Sequence, residues 1–176
     1  MENRCFFLQG CTVLLLGHAF QVWAQPSAAA PTPTVSANAV TQAAAVQGVQ
    51  NCLGRIQQVS SALGFSAQSG ALLMIPPSEP DTRIIPLAME VPVEGGSAYV
   101  GIDFAPNQAN GCGASYDAIV YWKQSCKTVA GKSFADLKEV GKLKDNITVL
   151  DGGLNIKVLL LPAGNGCVSI KKEVVL

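Results

Sequence analysis

Four cysteines are the residues of this chain whose type and spacing point most directly to chemistry. They are Cys52, Cys112, Cys126 and Cys167, while the other two of the six cysteines, Cys5 and Cys11, lie in the N-terminal 24 residues. Cysteines can serve as nucleophiles, hold a metal or form disulfides. Zinc sites favour C-x-x-C pairs or nearby histidines, but the sequence has no such pair, and its single histidine, His18, lies near the N-terminus. Ser–His and Cys–His nucleophilic sites are disfavoured for the same reason, so disulfides are the favoured interpretation.

The first 24 residues have the pattern of a signal peptide. Arg4 supplies a positive charge, an apolar stretch runs to Phe20, and Val22 and Ala24 are small residues near its end. We predict cleavage between Ala24 and Gln25 and a secreted, extracellular protein, with the bacterial periplasm as the alternative. Both compartments are oxidising. No later apolar run approaches the roughly 20 residues of a spanning helix, so we expect no membrane span.

Strand geometry limits how the four cysteines can pair. If residues 114–125 form one strand, it spans roughly 40 Å, whereas bridged Cα atoms lie about 5.5–6 Å apart. Cys112 and Cys126, at the two ends of this strand, therefore should not pair with each other. Two connectivities remain, and we prefer Cys126–Cys167 with Cys52–Cys112. That pairing requires the strands next to Cys126 and Cys167 to be antiparallel neighbours, the commoner arrangement.

Other polar residues give weaker signals. Asp103 and Asp117 could form a carboxylate pair on neighbouring strands, but outward strand positions are usually solvated. Asn146 begins an Asn-Ile-Thr glycosylation sequon just before a strand. We predict no catalytic residue, no metal site and no cofactor.

The N-terminal third divides by composition. Residues 25–46 are rich in alanine, proline, threonine and serine and carry no charge, which is typical of a linker. From Val46 to Leu63 the apolar residues recur at helical spacing, and Gly64 follows. We predict one amphipathic helix here. Residues 75–93 contain five prolines, which favours an irregular connection or an edge strand.

Alternating strand patterns dominate the remainder of the chain. We predict an α+β fold over residues 47–176. It has an antiparallel β-sheet, sandwich-like or single and curved, an N-terminal amphipathic helix, one short helix and disulfide staples. The short helix is expected within 132–142, with Ser133 as its N-cap, and the last three strands should form an antiparallel meander. The predicted strands are 97–105, 114–124, 146–150, 154–161 and 167–175.

Charge excludes some partners. The formal net charge is zero, so nothing indicates nucleic-acid binding. Nine lysines against four acidic residues lie between Lys123 and Lys172. This half could bind a polyanion such as an acidic polysaccharide, although oppositely charged solvated faces are the more common explanation.

An ordered series of short motifs resembles the pherophorin domain of green-algal extracellular-matrix proteins. It covers about residues 95–172. The motifs are the strand SAYVGIDF, the turn NGCGAS, the Ser125-Cys126-Lys127 end of a strand, a Gly-Lys-Ser-Phe stretch, the strand Leu-Asn-Ile and the strand Gly-Cys-Val-Ser-Ile. The chain differs from that pattern at Tyr99-Val100 and Cys112-Gly113, where the family usually has further cysteines. The resemblance implies a glycosylated structural role in a matrix, without catalysis.

Two functions fit these observations. The first is a secreted, non-catalytic structural or binding domain of an extracellular matrix or cell wall, with a glycan, polysaccharide or another extracytoplasmic protein as partner. The second is a small periplasmic binding or inhibitor protein that docks on a protein partner.

The predicted export and the even cysteine count give a direct test. The mature protein, denatured without reductant, should react with no more than a trace of thiol reagent. Substantial labelling would mean that at least two of the four cysteines are unpaired.

Overall fold

The computed structural model describes residues 37–106 and 111–176. The predicted signal peptide, its Ala24–Gln25 cleavage site and the linker up to residue 36 lie outside these residues. No helix within them is long and apolar enough to cross a membrane.

The described residues contain three helices and eight strands. The helices are α1 (Ala39–Val46), α2 (Leu53–Ala62) and α3 (Cys126–Ser133). The strands are β1 (Gly70–Leu73), β2 (Ile85–Val93), β3 (Gly96–Pro106), β4 (Cys112–Trp122), β5 (Lys138–Leu143), β6 (Ile147–Asp151), β7 (Ile156–Ala163) and β8 (Gly166–Val175). They form one antiparallel sheet in the order β1-β2-β3-β4-β8-β7-β6-β5. The predicted antiparallel sheet and the meander of its last three strands are confirmed, and the fold is mostly β.

Both disulfides attach a helix to the middle of this sheet. Cys52, just before α2, is bonded to Cys112, the first residue of β4, with their Cα atoms 5.2 Å apart. Cys126, the first residue of α3, is bonded to Cys167 in β8, with a Cα–Cα distance of 5.0 Å. These are the two preferred pairings. The reason given for them also holds, because β4 and β8 are antiparallel neighbours.

The linker prediction is wrong for its last eight residues, which form α1. Asn38 caps this helix by accepting a hydrogen bond from the Thr41 amide. Gly48, with φ of +88°, follows the end of α1, and the amide of Val49 bonds back to the carbonyl of Ala44. The helix predicted from Val46 to Leu63 is therefore shorter than expected, because α2 begins at Leu53 and residues 47–52 form the turn that separates it from α1.

Two further predictions need correction. The proline-rich segment 75–93 is predicted to be an irregular connection or an edge strand. Residues 75–84 are irregular apart from a short 3-10 turn at Pro80–Thr82, but the remainder forms β2, an inner strand between β1 and β3. Its Pro86 and Pro92 lie outside the stretch that pairs with β1, so no ladder bond to β1 is lost. The short helix also begins earlier than predicted, with Ser125 rather than Ser133 as its N-cap, and residues 138–143 form the exposed edge strand β5.

Two apolar clusters lie between the helices and the sheet. The first joins α1 and α2 to β2, β3 and β4, and the second joins α3 to β6, β7 and β8. Ala44 of α1 is fully buried in the first cluster. Helix α1 is therefore part of the folded domain.

The packing of α1 predicts a strong positional effect within one helix. Ala44→Asp should lower the free energy of unfolding by about 2–4 kcal/mol, because it buries a charge that has no partner. Ala45→Asp makes the same change at the neighbouring exposed position and should cost less than about 1 kcal/mol. Urea unfolding of both variants measures the difference. Equal, small losses would show that α1 does not contribute to the core.

Candidate functional site

The two faces of the sheet have different surroundings. All three helices pack on one face, which we call the helix face, and fully buried residues of α2 and α3, such as Ile56 and Val129, contact it. No helix or strand of the described residues covers the other face, which we call the open face. Since side chains alternate along each strand, the register assigns each strand residue to one face.

Strand β8 directs its polar residues other than Lys172 toward the helices. Lys171 and Glu173 stand opposite Ala118 and Tyr116 of β4, and Tyr116 is buried in the cluster beneath α2. Lys171 and Glu173 therefore lie on the helix face. The alternate residues of β8 on the open face include Val168, Ile170 and Val174. The uncovered side of this strand is thus more apolar than its covered side.

An apolar row crosses five strands of the open face. Cα pairing runs from Tyr99 of β3 to Ile119, Ile170, Leu159 and Val149 in turn. Four strand spacings of about 4.8 Å give this row a length of roughly 19 Å. Beside it lies a shorter apolar row, in which Tyr121 pairs with Val168 and Val168 with Leu161. Apolar surface that is continuous and uncovered commonly marks a binding surface.

Two tyrosines lie along the sheet in this surface because neighbouring glycines leave room for their rings. Tyr99 and Tyr121 are 53% and 55% exposed. A Cβ atom added to Gly101 would lie 3.2 Å from the Tyr99 hydroxyl, and one added to Gly166 would lie 2.6 Å from the Tyr121 hydroxyl. Each ring therefore rests on the backbone of a glycine and leaves its outer side accessible.

A charged row that contains two ion pairs runs beside the apolar row. It consists of Asp117, Lys172, Lys157 and Asp151, which are cross-strand partners in that order. The Lys172 Nζ lies 2.9 Å from Asp117 Oδ2, and the Lys157 Nζ lies 2.9 Å from Asp151 Oδ1. The hydrogen bonds from Lys157 and the Gly153 amide lower the pKa of Asp151. Lys138 of the edge strand β5 continues the row as the cross-strand partner of Asp151, so the row consists of two neutral ion pairs with one further lysine at the edge of the sheet.

A groove of about 600 Å³ lies at the end of β4. We call it the terminal groove. The turn between β2 and β3, the end of β4 and the end of α3 form its walls, and Tyr121 connects it to the open face. The Trp122 side chain in it is held by a 2.8 Å hydrogen bond from Nε1 to Ser169 Oγ and by edge contact with Phe134. Its charged lining residues are Glu94, Lys123 and Lys132.

A polar cluster fills the gap between α2 and β8 on the helix face. Tyr116 donates a hydrogen bond to Glu173, while Lys171 lies 2.8 Å from the Tyr116 hydroxyl and 2.7 Å from the Glu173 carboxylate. A cavity of about 280 Å³ beside it is lined partly by Val59 and Leu63 of α2. The ion pair satisfies both charges where they are partly removed from water.

Burial and charge pairing shift the pKa values of Lys171 and Glu173 in opposite directions. Burial would raise the pKa of Glu173, but the hydrogen bonds from Lys171 and Tyr116 and the charge of Lys171 outweigh it, and the pKa is lowered. Burial, with the bond to Glu173, raises the pKa of Tyr116. Burial would lower the pKa of Lys171, yet its bonds to Glu173 and Tyr116 raise it. The charged Lys171–Glu173 pair is therefore the favoured state at neutral pH.

Asp103, Asp117 and Asn146, which the sequence also indicated, do not come together in one site. Asp103 and Asp117 do share the open face, at diagonal positions of β3 and β4, but Asp117 is paired with Lys172. Asn146 is exposed in the turn between β5 and β6, so its sequon is accessible. Within the described residues, no group of three or more His, Cys, Asp or Glu side chains could hold a metal.

The residues that sequence reasoning missed are Tyr99, Tyr121 and the Tyr116 cluster. A usable signal was present for the tyrosines, because each stands in an alternating strand pattern and Gly101 follows Tyr99 at the next position on the same face. No local signal marks the cluster, since Lys171 and Glu173 lie 55 and 57 residues from Tyr116 in the sequence.

Comparisons with protein-family models, curated proteins and solved structures find no match. The resemblance to pherophorin domains over residues 95–172 remains a prediction.

The polar cluster predicts a pH-dependent contribution to stability. A carboxylate whose pKa is lowered by folding stabilises the fold above its ordinary pKa of 4.5, and that stabilisation is lost as the pH falls through the lower, folded-state value. Glu173→Gln should therefore cost about 1 kcal/mol at pH 7, allowing for solvent screening, and progressively less in acid. Urea unfolding of the wild type and of Glu173→Gln, measured from pH 7 down into acid, gives this cost at each pH. Glu139→Gln on the exposed strand β5 is the control. A pH-independent cost would contradict the proposed charge pairing.

Proposed function

We propose that this protein is an exported, non-catalytic binding domain of the extracellular-matrix or cell-wall type that holds a glycan on the open face of its sheet. The observation that carries the proposal is the uncovered apolar row with Tyr99 and Tyr121 lying along the sheet. Export is supported by the signal-peptide pattern and by two disulfides, which are typical of oxidising compartments. The matrix role is supported by the resemblance to pherophorin domains.

The chemistry of a sugar fits this surface better than that of a wholly apolar ligand. One side of a pyranose ring presents C–H groups that pack on an aromatic ring, while its hydroxyl groups need hydrogen-bond partners. The rings of Tyr99 and Tyr121 offer the first, and the charged row beginning at Asp117 offers the second. Because Asp117, Lys172, Lys157 and Asp151 form two ion pairs, an uncharged polar ligand meets no unpaired charge on the three strands β4, β8 and β7 of this row.

Self-association is a less suitable use of the same face. The charged row reads minus, plus, plus, minus from Asp117 to Asp151. A second copy docked face to face about a twofold axis centred on this row would place like charges opposite each other, which is unfavourable. We therefore propose a glycan as the ligand of the open face. A protein partner, as expected for a periplasmic inhibitor, is the competing outcome.

Replacement of the tyrosines tests the proposal. The mature protein should co-sediment with one or more insoluble polysaccharides from a panel that includes cellulose, chitin and xylan. Tyr99→Ala and Tyr121→Ala should each weaken that binding between about twofold and tenfold, since each removes one aromatic contact. Val46→Ala, an exposed apolar residue of α1 on the far side of the sheet, should bind like the wild type.

Two results would contradict the proposal. One is the absence of binding to every polysaccharide in the panel. The other is a concentration-dependent dimer in analytical ultracentrifugation that Tyr121→Ala abolishes, because the open face would then be occupied by a second copy.

A further inference from the structure

The terminal groove contains lysines without ion pairs, unlike the inner strands of the open face. On the open face, Lys157 and Lys172 each have a carboxylate oxygen at 2.9 Å. In the groove, Lys123 and Lys132 are exposed and form no ion pair with any described residue. Glu94 of the opposite wall is the single carboxylate among the lining residues. Two lysines against one glutamate leave a net positive charge.

We propose that the terminal groove is a subsite for an acidic sugar unit, a uronate or a sulfate ester, of the glycan whose uncharged part lies on the open face. This inference rests on the proposed function and specifies its ligand. The ammonium groups of Lys123 and Lys132 supply charge-assisted hydrogen bonds to a carboxylate or sulfate. Flexible lysines suit such an anion in more than one orientation.

The two surfaces are continuous at Tyr121. This residue pairs with Val168 in the shorter apolar row of the open face, its ring rests on Gly166, and the residue is also part of the groove wall. A chain that packs a sugar ring on Tyr121 therefore places an adjacent unit at the groove. Trp122, fixed by Ser169 and Phe134, holds the groove floor in place before the ligand arrives, which limits the entropy lost on binding.

A general excess of surface lysines does not explain why Lys123 and Lys132 both line the terminal groove. Lys138 and Lys142 on the edge strand β5 also lack ion pairs within the described part of the chain, but they line no described cavity. Lysines on an edge strand hinder pairing with other sheets, which explains those of β5 without a ligand. The groove lysines differ from them by sharing a cavity with an accessible aromatic ring.

A pair of probes that differ only in charge tests the subsite. Polygalacturonate and its fully methyl-esterified form have the same backbone, but the ester lacks the carboxylates. The wild-type protein should bind the free acid roughly ten times more tightly than the ester in affinity electrophoresis at low salt, and the preference should diminish at high salt.

The variants separate the subsite from the open face. The double variant Lys123→Gln/Lys132→Gln should lose the preference for the free acid while its affinity for the ester is unchanged. Lys138→Gln/Lys142→Gln removes the same charge from β5 and should retain the preference. Tyr99→Ala should weaken binding of both probes by the same factor, which reports on the proposed function alone.

Three results would overturn the inference and leave the glycan function intact. They are equal affinity of the wild type for acid and ester, an unchanged preference in the Lys123/Lys132 variant, and an equal loss in the β5 control. Binding to neither probe would overturn the inference, and if the insoluble polysaccharides also fail to bind, the proposed function falls with it.

Discussion

The pairing of β4 with β8 is the constraint on which the rest of the structure depends. It joins β1–β4, packed against α1 and α2, to β5–β8, of which β6, β7 and β8 pack against α3. Each disulfide fixes a helix next to one end of β4, through Cys112 at its start and Cys126 just after its last residue. Cys167 must then face α3, so the register of β8 is set. A slip of one residue would exchange its two faces.

This register explains both unusual features of the sheet. With Cys167 toward the helices, Lys171 and Glu173 must also face them, and they form an ion pair beside Tyr116 in the gap between the two apolar clusters. The same alternation places Val168 and Ile170 on the uncovered side. A partly buried polar cluster and an exposed apolar surface are thus two consequences of one strand register.

How far the sequence predicts this structure depends on whether the deciding contact is local. The positions of β3, β4 and β6–β8 and the meander follow from alternation and turn residues, which are local properties, whereas β1, β2 and β5 were not among the predicted strands. Strand length excluded one cysteine pairing, and the choice between the other two depended on β4 and β8 being antiparallel neighbours. The alternation of apolar residues in β8 shows which residues share a face of the sheet, but not which face the helices cover. From the sequence alone, Val168 and Ile170 would have been assigned to the core, whereas they lie on the open face. Helix α1 was missed because its alanine-rich sequence resembles a linker, and its packing depends on α2, through Thr41 and Gln57 for example. Likewise, Phe134 and Leu137 suggested a helix, but they pack beneath α3 from the segment that follows it.

An open face of this kind suits binding without conformational change. Tyr99 and Tyr121 are strand residues supported by glycine backbone, and the ion pairs of the charged row lie across adjacent strands, so little side-chain freedom remains to be lost when a ligand binds. Exposed apolar sheet surface also risks aggregation, which the protein limits in two ways. The charged row interrupts the apolar surface, and the edge strand β5 carries lysines and a register irregularity between Glu139 and Gly141, both of which discourage edge-to-edge pairing. The lysines of β5 therefore protect the fold, whereas those of the terminal groove have no such role and are left for recognition.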